Sequence, residues 1–178
     1  MNSNFVLYFV KTLKLVIIFT LSIIIIRSFI IEPGRINNRS MEPAFYDEDI
    51  FLLNKFTLLL KEPQRGQLVQ YYDENSKQLF IKRIIGLPGE KISIHQNKVF
   101  LINDKREEIE LTEPYLADNI ITNSKTGAAE IYETIPEHEY FVLGDNRSNS
   151  NDSRYFGPIH RSFITGTPIK IYSTSNGQ

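Results

Sequence analysis

Gln78-Leu79-Phe80-Ile81-Lys82-Arg83-Ile84-Ile85, followed at once by Gly86-Leu87-Pro88-Gly89-Glu90, is the stretch on which the fold turns. Its β-branched and aromatic residues, ended by turn residues, predict a strand. Period-two alternation puts Phe80, Lys82 and Ile84 on one face and Ile81, Arg83 and Ile85 on the other. A lysine is thereby set in an apolar face. Similar short runs recur between turn signals at Asp49 to Asn54, Leu68 to Tyr72, Glu139 to Leu143 and Pro168 to Tyr172. Lys91 to Ile94 and Val99 to Ile102 flank His95-Gln96-Asn97-Lys98 and predict a hairpin. No long amphipathic helix stands out. The expected fold is mostly β, a barrel or sandwich. Thr112 to Glu137 is polar and predicts a loop or extended excursion.

The N-terminus differs in kind. Leu15 to Ile26 reads LVIIFTLSIIII without a charge. If Lys14 and Arg27 snorkel, Lys14 to Ile31 supplies the roughly 20 apolar residues of a membrane span. The run is apolar around its whole circumference, which suits lipid better than the core of a small domain. Its exit, Arg27-Ser28-Phe29-Ile30-Ile31-Glu32-Pro33-Gly34, lacks an Ala-x-Ala pattern, so an uncleaved anchor is expected rather than a removed signal. Residues 1–31 are read as this anchor and 32–178 as an extracytoplasmic β-rich domain. Lys11 and Lys14 favour a cytoplasmic N-terminus, while Arg27, Arg35 and Arg39 pull the other way. Phe56-Thr57-Leu58-Leu59-Leu60 is more apolar than a loop and is expected to pack on the core, with bilayer contact the alternative.

Composition narrows the chemistry. The 178 residues suit one modest domain and an appendage, and the net charge of −1 argues against a nucleic-acid partner. The absence of cysteine removes disulfides, thiolate metal sites and cysteine nucleophiles. Only His95, His138 and His160 occur, with no His-x-x-x-His pair, so no metal site is expected. A Ser-His-Asp triad has little support, because each histidine sits in a polar, turn-like context.

Asn38-Arg39-Ser40-Met41-Glu42-Pro43 follows the apolar segment. Ser40 as a helix cap fits poorly, because the capping box needs its acid at the third position and Glu42 is at the second. A hydroxyl nucleophile needs a base, and a lysine in apolar surroundings can be one. Bringing Lys82 from about 10.4 to about 8 opposes folding by about 3 kcal/mol. Strand pattern alone favours a plainer role, a lysine snorkelling from an edge strand. The third segment is Gly144-Asp145-Asn146-Arg147-Ser148-Asn149-Ser150-Asn151-Asp152-Ser153-Arg154-Tyr155-Phe156-Gly157. Its acids and arginines at 145/147 and 152/154 suggest ion pairs bracing a site, and Ser150 a hydroxyl to aim the lysine.

These three blocks, in this order behind an apolar segment, resemble the bacterial type I signal peptidases. Arg65-Gly66-Gln67-Leu68-Val69 is similar to a further block of the family, with Gln67 in place of its Asp. The resemblance implies Ser40 as nucleophile, Lys82 as general base and Ser150 as the hydroxyl positioning the lysine. Asp145, Arg147, Asp152 and Arg154 would support the site. The oxyanion donors would be the Ser40 amide and a group from position 38, where many members carry Ser, Thr or Gly and this chain has Asn38. Substrates would be preprotein signal peptides with small residues at the first and third positions before the cut. Met41, Phe45, Phe80 and Ile81 would line the first pocket, and Ile36 and Ile81 the second. Ala44 and Phe45 depart from the common Thr-Leu, and the larger ring predicts a tighter first pocket. The enzyme would sit in the cytoplasmic membrane by a single pass, with its catalytic domain on the outer face and no cofactor. Glu90 and Gly144 lie too close for the long insertion of larger members, so a second domain should be small or absent. The alternatives are a repressor-type Ser-Lys autoprotease and a non-catalytic membrane-tethered peptide-binding β domain.

Overall fold

The computed structural model describes residues 3–117 and 119–173; the expected limits at 1 and 178 lie outside them. Helix α1 (Ser3–Phe29) has 27 residues, about 40 Å at the α-helical rise. Its Val6–Arg27 portion is long and apolar enough to cross a membrane and is not covered by the rest of the chain. The hydroxyls of Thr12, Thr20 and Ser22 each donate to the carbonyl four residues back. The polar groups of these three side chains are thus satisfied within the helix, as lipid requires.

Ile31 does not belong to the helix. It opens β1 (Ile31–Arg35), where it pairs with Asn54 of β2 (Ile50–Asn54). Sequence reading placed it in the anchor because Pro33-Gly34 resembles a break. Proline is tolerated here because β1 is an edge strand with one side of its ladder open.

The remaining strands are β3 (Leu68–Asp73), β4 (Gln78–Gly86), β5 (Lys91–His95), β6 (Lys98–Ile102), β7 (Glu108–Glu110), β8 (Glu130–Ile131), β9 (Glu139–Leu143), β10 (Ile159–His160) and β11 (Ile164–Tyr172). Two short helices, α2 (Thr57–Leu60) and α3 (Ser153–Phe156), complete the elements used below. All strand pairs among the described residues are antiparallel. The larger sheet runs β1-β2-β11-β3-β4-β9-β10 and the smaller one β7-β6-β5-β8. The fold is therefore mostly β, as the alternating runs predicted. The hairpin turn is two residues, not four: Gln96 and Asn97 take φ of 48° and 64°, the left-handed pair that matches the twist of the flanking strands.

Three apolar clusters hold the domain together. One face of the larger sheet buries Val69, Tyr71, Ile84 and Val142 with Leu58 and Ile164. Between the sheets lie Ile85, Ile92, Ile94, Phe141 and Leu143. A third cluster joins Ile36, Met41 and Phe45 to Phe51, Leu53 and Ile81. The Phe56–Leu60 stretch is split: Leu58 enters the core, while Phe56, Leu59 and Leu60 stay exposed. Among the described residues, the polar excursion of 112–137 adds only β8 to a sheet, yet it buries Thr122, Ser124 and Ile135.

Candidate active site

Ser40 stands on the loop between β1 and β2. The loop is closed at its base: the Ile36 amide donates to the Asp49 carbonyl and the Glu48 amide to the Ile36 carbonyl, both at 2.9 Å. Ile36, Met41 and Phe45 nail it to the third cluster. The third sequence block clasps it from the other side. The Asn146 amide donates to the Ser40 carbonyl at 3.0 Å, and Asn146 Nδ2 to the Arg39 carbonyl at 3.0 Å. Ser40 is thus held by backbone contacts and is 8% exposed.

Lys82 is on β4, an interior strand of the larger sheet, and its side chain turns inward, so it is not the snorkelling edge lysine that pattern alone favoured. Val69 lies directly opposite it, and Phe80 and Ile84 share its face. The side chain is buried, with 2% exposure. Its Nζ donates to Ser40 Oγ at 2.6 Å. Burial pulls the amine from 10.5 down to about 8, against the pull of the Asp152 and Asp145 carboxylates. Desolvation wins because neither carboxylate touches the amine; both are spent on arginines.

Of the two ion pairs the sequence suggested, 145/147 and 152/154, only the second forms. Asp145 does not pair with Arg147. It takes a bidentate bond from Arg83, at 2.8 and 2.5 Å. The Arg83 guanidinium also lies 3.9 Å from the Tyr115 ring centroid and donates to the Gly66 carbonyl at 2.7 Å. Arg147 reaches Glu113 and Thr122 in the polar excursion instead. Asp152 and Arg154 do pair, at 2.8 and 2.9 Å, and Asp152 also accepts the Gly144 amide at 3.0 Å. Arg154 donates to the Asn123 and Arg147 carbonyls. Arg83, Glu113, Tyr115, Thr122 and Asn146 were missed from sequence. Only Arg83 left a trace, as a charged residue facing away from Lys82 on a buried strand.

Ser150 is buried beside the site, but its Oγ has no hydrogen-bond partner among the described residues. The bond to the lysine amine that the sequence suggested is therefore not made in this structure. Gly144 keeps the space open. A Cβ there would overlap Ser150 Oγ and stand 2.5 Å from the Ser40 carbonyl oxygen. Gly144→Ala is expected to lower the cleavage rate about 100-fold through displacement of Ser40, while the overpacking destabilises by about 1–3 kcal/mol. Steady-state cleavage and thermal unfolding of the variant check both; a wild-type rate would show that the Ser40 loop tolerates the methyl.

Two cavities share Asn38 and Phe80 in their walls, and the second reaches the serine. One of about 560 Å³ is lined by Ile36, Met41, Phe80 and Ile81, among others. The other, about 590 Å³, is lined by Ser40, Lys82, Tyr71 and Phe156, among others. Phe45 lines neither. It is buried edge-on against Phe51, with ring centroids 6.1 Å apart, so it does not narrow the first pocket as expected. The first cavity lies between two strand segments open on one side: β1, which has only β2 as a neighbour, and the 78–82 half of β4, whose pairing with β9 starts at Arg83.

Comparison with known proteins identifies the family of the chain. The family model described as signal peptidase, peptidase S26, matches residues 9–172. The chain is 35% identical over 168 residues to signal peptidase I T of Bacillus subtilis (strain 168), covering 92% of this chain and 84% of that one. It is 36% identical over 164 residues to a signal peptidase I of Bacillus amyloliquefaciens, covering 89% and 82%. A crystal structure of a signal peptidase I from Enterococcus faecalis V583 superposes with a TM-score of 0.49 at 30% identity, over 60% of this chain and 97% of that one. With a match spanning nearly the whole chain and relatives covered over most of their length, the protein belongs to the signal peptidase family of S26 peptidases and is a serine endopeptidase.

Proposed function

We propose that this enzyme removes signal peptides from exported preproteins, cutting after a small residue with another small residue two positions earlier. Ser40 attacks the scissile carbonyl, and Lys82, in the neutral form that its apolar setting makes accessible, takes the hydroxyl proton. The developing oxyanion is received by the Ser40 amide and by Asn38. Lys82 then hands the proton to the leaving amine, and water hydrolyses the acyl-enzyme with the lysine again as base. The observation that carries this reading is the 2.6 Å contact between a buried amine and a serine hydroxyl, in a chain whose three histidines make no hydrogen bond to that serine.

The substrate enters as an extended strand. The open sides of β1 and of residues 78–82 offer backbone donors and acceptors to a peptide laid between them. Ile36, Met41, Phe80 and Ile81, which line the first cavity, then face its side chains and select for small ones. Helix α1 anchors the enzyme in the bilayer, N-terminus in the cytoplasm, so that residues 32–178 act on the outer face. Asp145, Arg147, Asp152 and Arg154 keep the Ser40 loop and β4 in register.

The test is a substrate scan with the full-length protein in detergent. A preprotein with Ala at both small positions should be cut once, and Leu at either position should lower kcat/KM by at least about 10-fold. Equal cutting with Leu at both positions would refute the assigned pockets.

A further inference from the structure

We infer that Asn38 is a two-position gate on Ser40: at rest its side-chain oxygen occupies both Ser40 donors, and an arriving peptide swings it aside so that its NH₂ faces the reacting carbonyl. This rests on the reading of Ser40 as nucleophile and Lys82 as base.

Asn38 Oδ1 lies 2.8 Å from Ser40 Oγ and 3.2 Å from the Ser40 amide nitrogen. The backbone N–H can only donate, so the Asn38 atom facing it must be the oxygen; the chemistry sets the orientation of the carboxamide. Two consequences follow for the reaction. The Ser40 amide, needed to bind an oxyanion, is already engaged. The single hydroxyl proton is also misdirected. Asn38 Oδ1 has no proton to give, so Ser40 donates to it and accepts from Lys82 Nζ at 2.6 Å. The chain of donors runs from lysine to serine to asparagine. Attack needs the reverse at its first link, with the hydroxyl proton turned toward the lysine nitrogen. Releasing Asn38 frees the amide and the hydroxyl together.

The position suits a movable part. Asn38 is exposed, and no bond holds its Nδ2 among the described residues. Asn38 and Phe80 are the residues that line both cavities, so a peptide running from one to the other past Ser40 crosses Asn38. An oxygen within hydrogen-bond range of both the Ser40 amide and hydroxyl stands close to where a substrate carbonyl must sit. Rotation about the Cβ–Cγ bond exchanges that oxygen for the NH₂, converting an acceptor that blocks the hole into a donor that completes it. No covalent bond changes in this motion; the hydroxyl proton only reorients toward Lys82.

The two roles separate in kinetics. Asn38→Asp keeps the blocking oxygen and cannot donate. It should lower kcat about 10²–10³-fold with KM not reduced. Asn38→Gly has neither oxygen nor donor. It should show a similar fall in kcat together with a KM about tenfold lower, since the peptide no longer displaces two hydrogen bonds. The measurement is steady-state cleavage of an Ala-x-Ala preprotein by the full-length variants in detergent, with thermal midpoints to exclude misfolding. Unchanged kcat in Asn38→Asp overturns the donor role, and an unchanged or higher KM in Asn38→Gly overturns the gate. Should the glycine variant be unstable, Asn38→Ala, which also lacks both oxygen and donor, reads the gate by the same fall in KM, and an unchanged KM there overturns it. Ser40→Ala in parallel separates the failures: cleavage by that variant defeats the nucleophile reading, whereas its inactivity with flat Asn38 kinetics defeats the gate alone.

Discussion

Lys82→Ala lowers kcat by about 10²–10⁴-fold, the range that a positioned general base supplies. Lys82→Arg rescues nothing, because a guanidinium cannot release its proton at any working pH. Ser40→Ala removes the reaction itself, and the double variant is no worse than Ser40→Ala, since the two groups act as a unit. The wild-type pH profile carries the same chemistry. With the amine at about 8, only about one molecule in ten holds a neutral lysine at pH 7. The rate therefore climbs about tenfold per pH unit below 8 and levels above it. Stability follows the same group. The folded pKa is about 8 and the ordinary value 10.5, so between these limits the unfolded chain binds the extra proton. Stability then rises with pH across that window, by about 3 kcal/mol in all, and Lys82→Met should flatten the rise. Cleavage assays and thermal unfolding at pH 6 to 10 give both curves. Cleavage surviving in Lys82→Ala, or a rate that falls from pH 7 to 8, removes lysine as the base.

Asp145→Ala lowers stability by about 3–5 kcal/mol, because Arg83 is left charged, buried and without its bidentate partner. At about 2–4 °C per kcal/mol for a protein of this size, the thermal midpoint falls by about 6–20 °C. The loss has a direction in the structure. Arg83 adjoins Lys82 on β4, while Asp145 follows β9 and adjoins Asn146, which holds the Ser40 carbonyl. Breaking the pair lets these two segments slide, so cleavage falls along with stability. Arg83→Met with Asp145→Leu recovers part of the midpoint, since it removes both charges rather than stranding one. Calorimetry of the three proteins in one detergent decides it. A shift under about 2 °C in Asp145→Ala would mean that Arg83 finds water or another carboxylate.

The strands were legible because period-two alternation and turn residues are local signals. β2, β3, β4, β9 and the hairpin fall where alternation puts them, within a residue or two. β1 was hidden by Pro33-Gly34, and β7, β8 and β10 are too short to carry a pattern. The serine and lysine could be nominated from their surroundings, but nothing in either segment says that they meet. Their contact depends on antiparallel register, which sets Lys82 opposite Val69, and on a clasp from Asn146 a hundred residues away. The ion pairs show the limit most clearly. Neighbours in sequence, Asp145 and Arg147, turn to opposite partners, Arg83 and Glu113.

Residue order alone determined the apolar N-terminal helix, the β character of the domain and the nomination of Ser40 and Lys82, because each is written in short-range periodicity or composition. Tertiary structure decided the rest: that the amine is dry, that it touches the hydroxyl, that Phe45 is core rather than pocket, and that Asn38 bonds both Ser40 donors. Desolvation and hydrogen-bond geometry depend on atoms brought together from distant parts of the chain, and no local pattern encodes their distances.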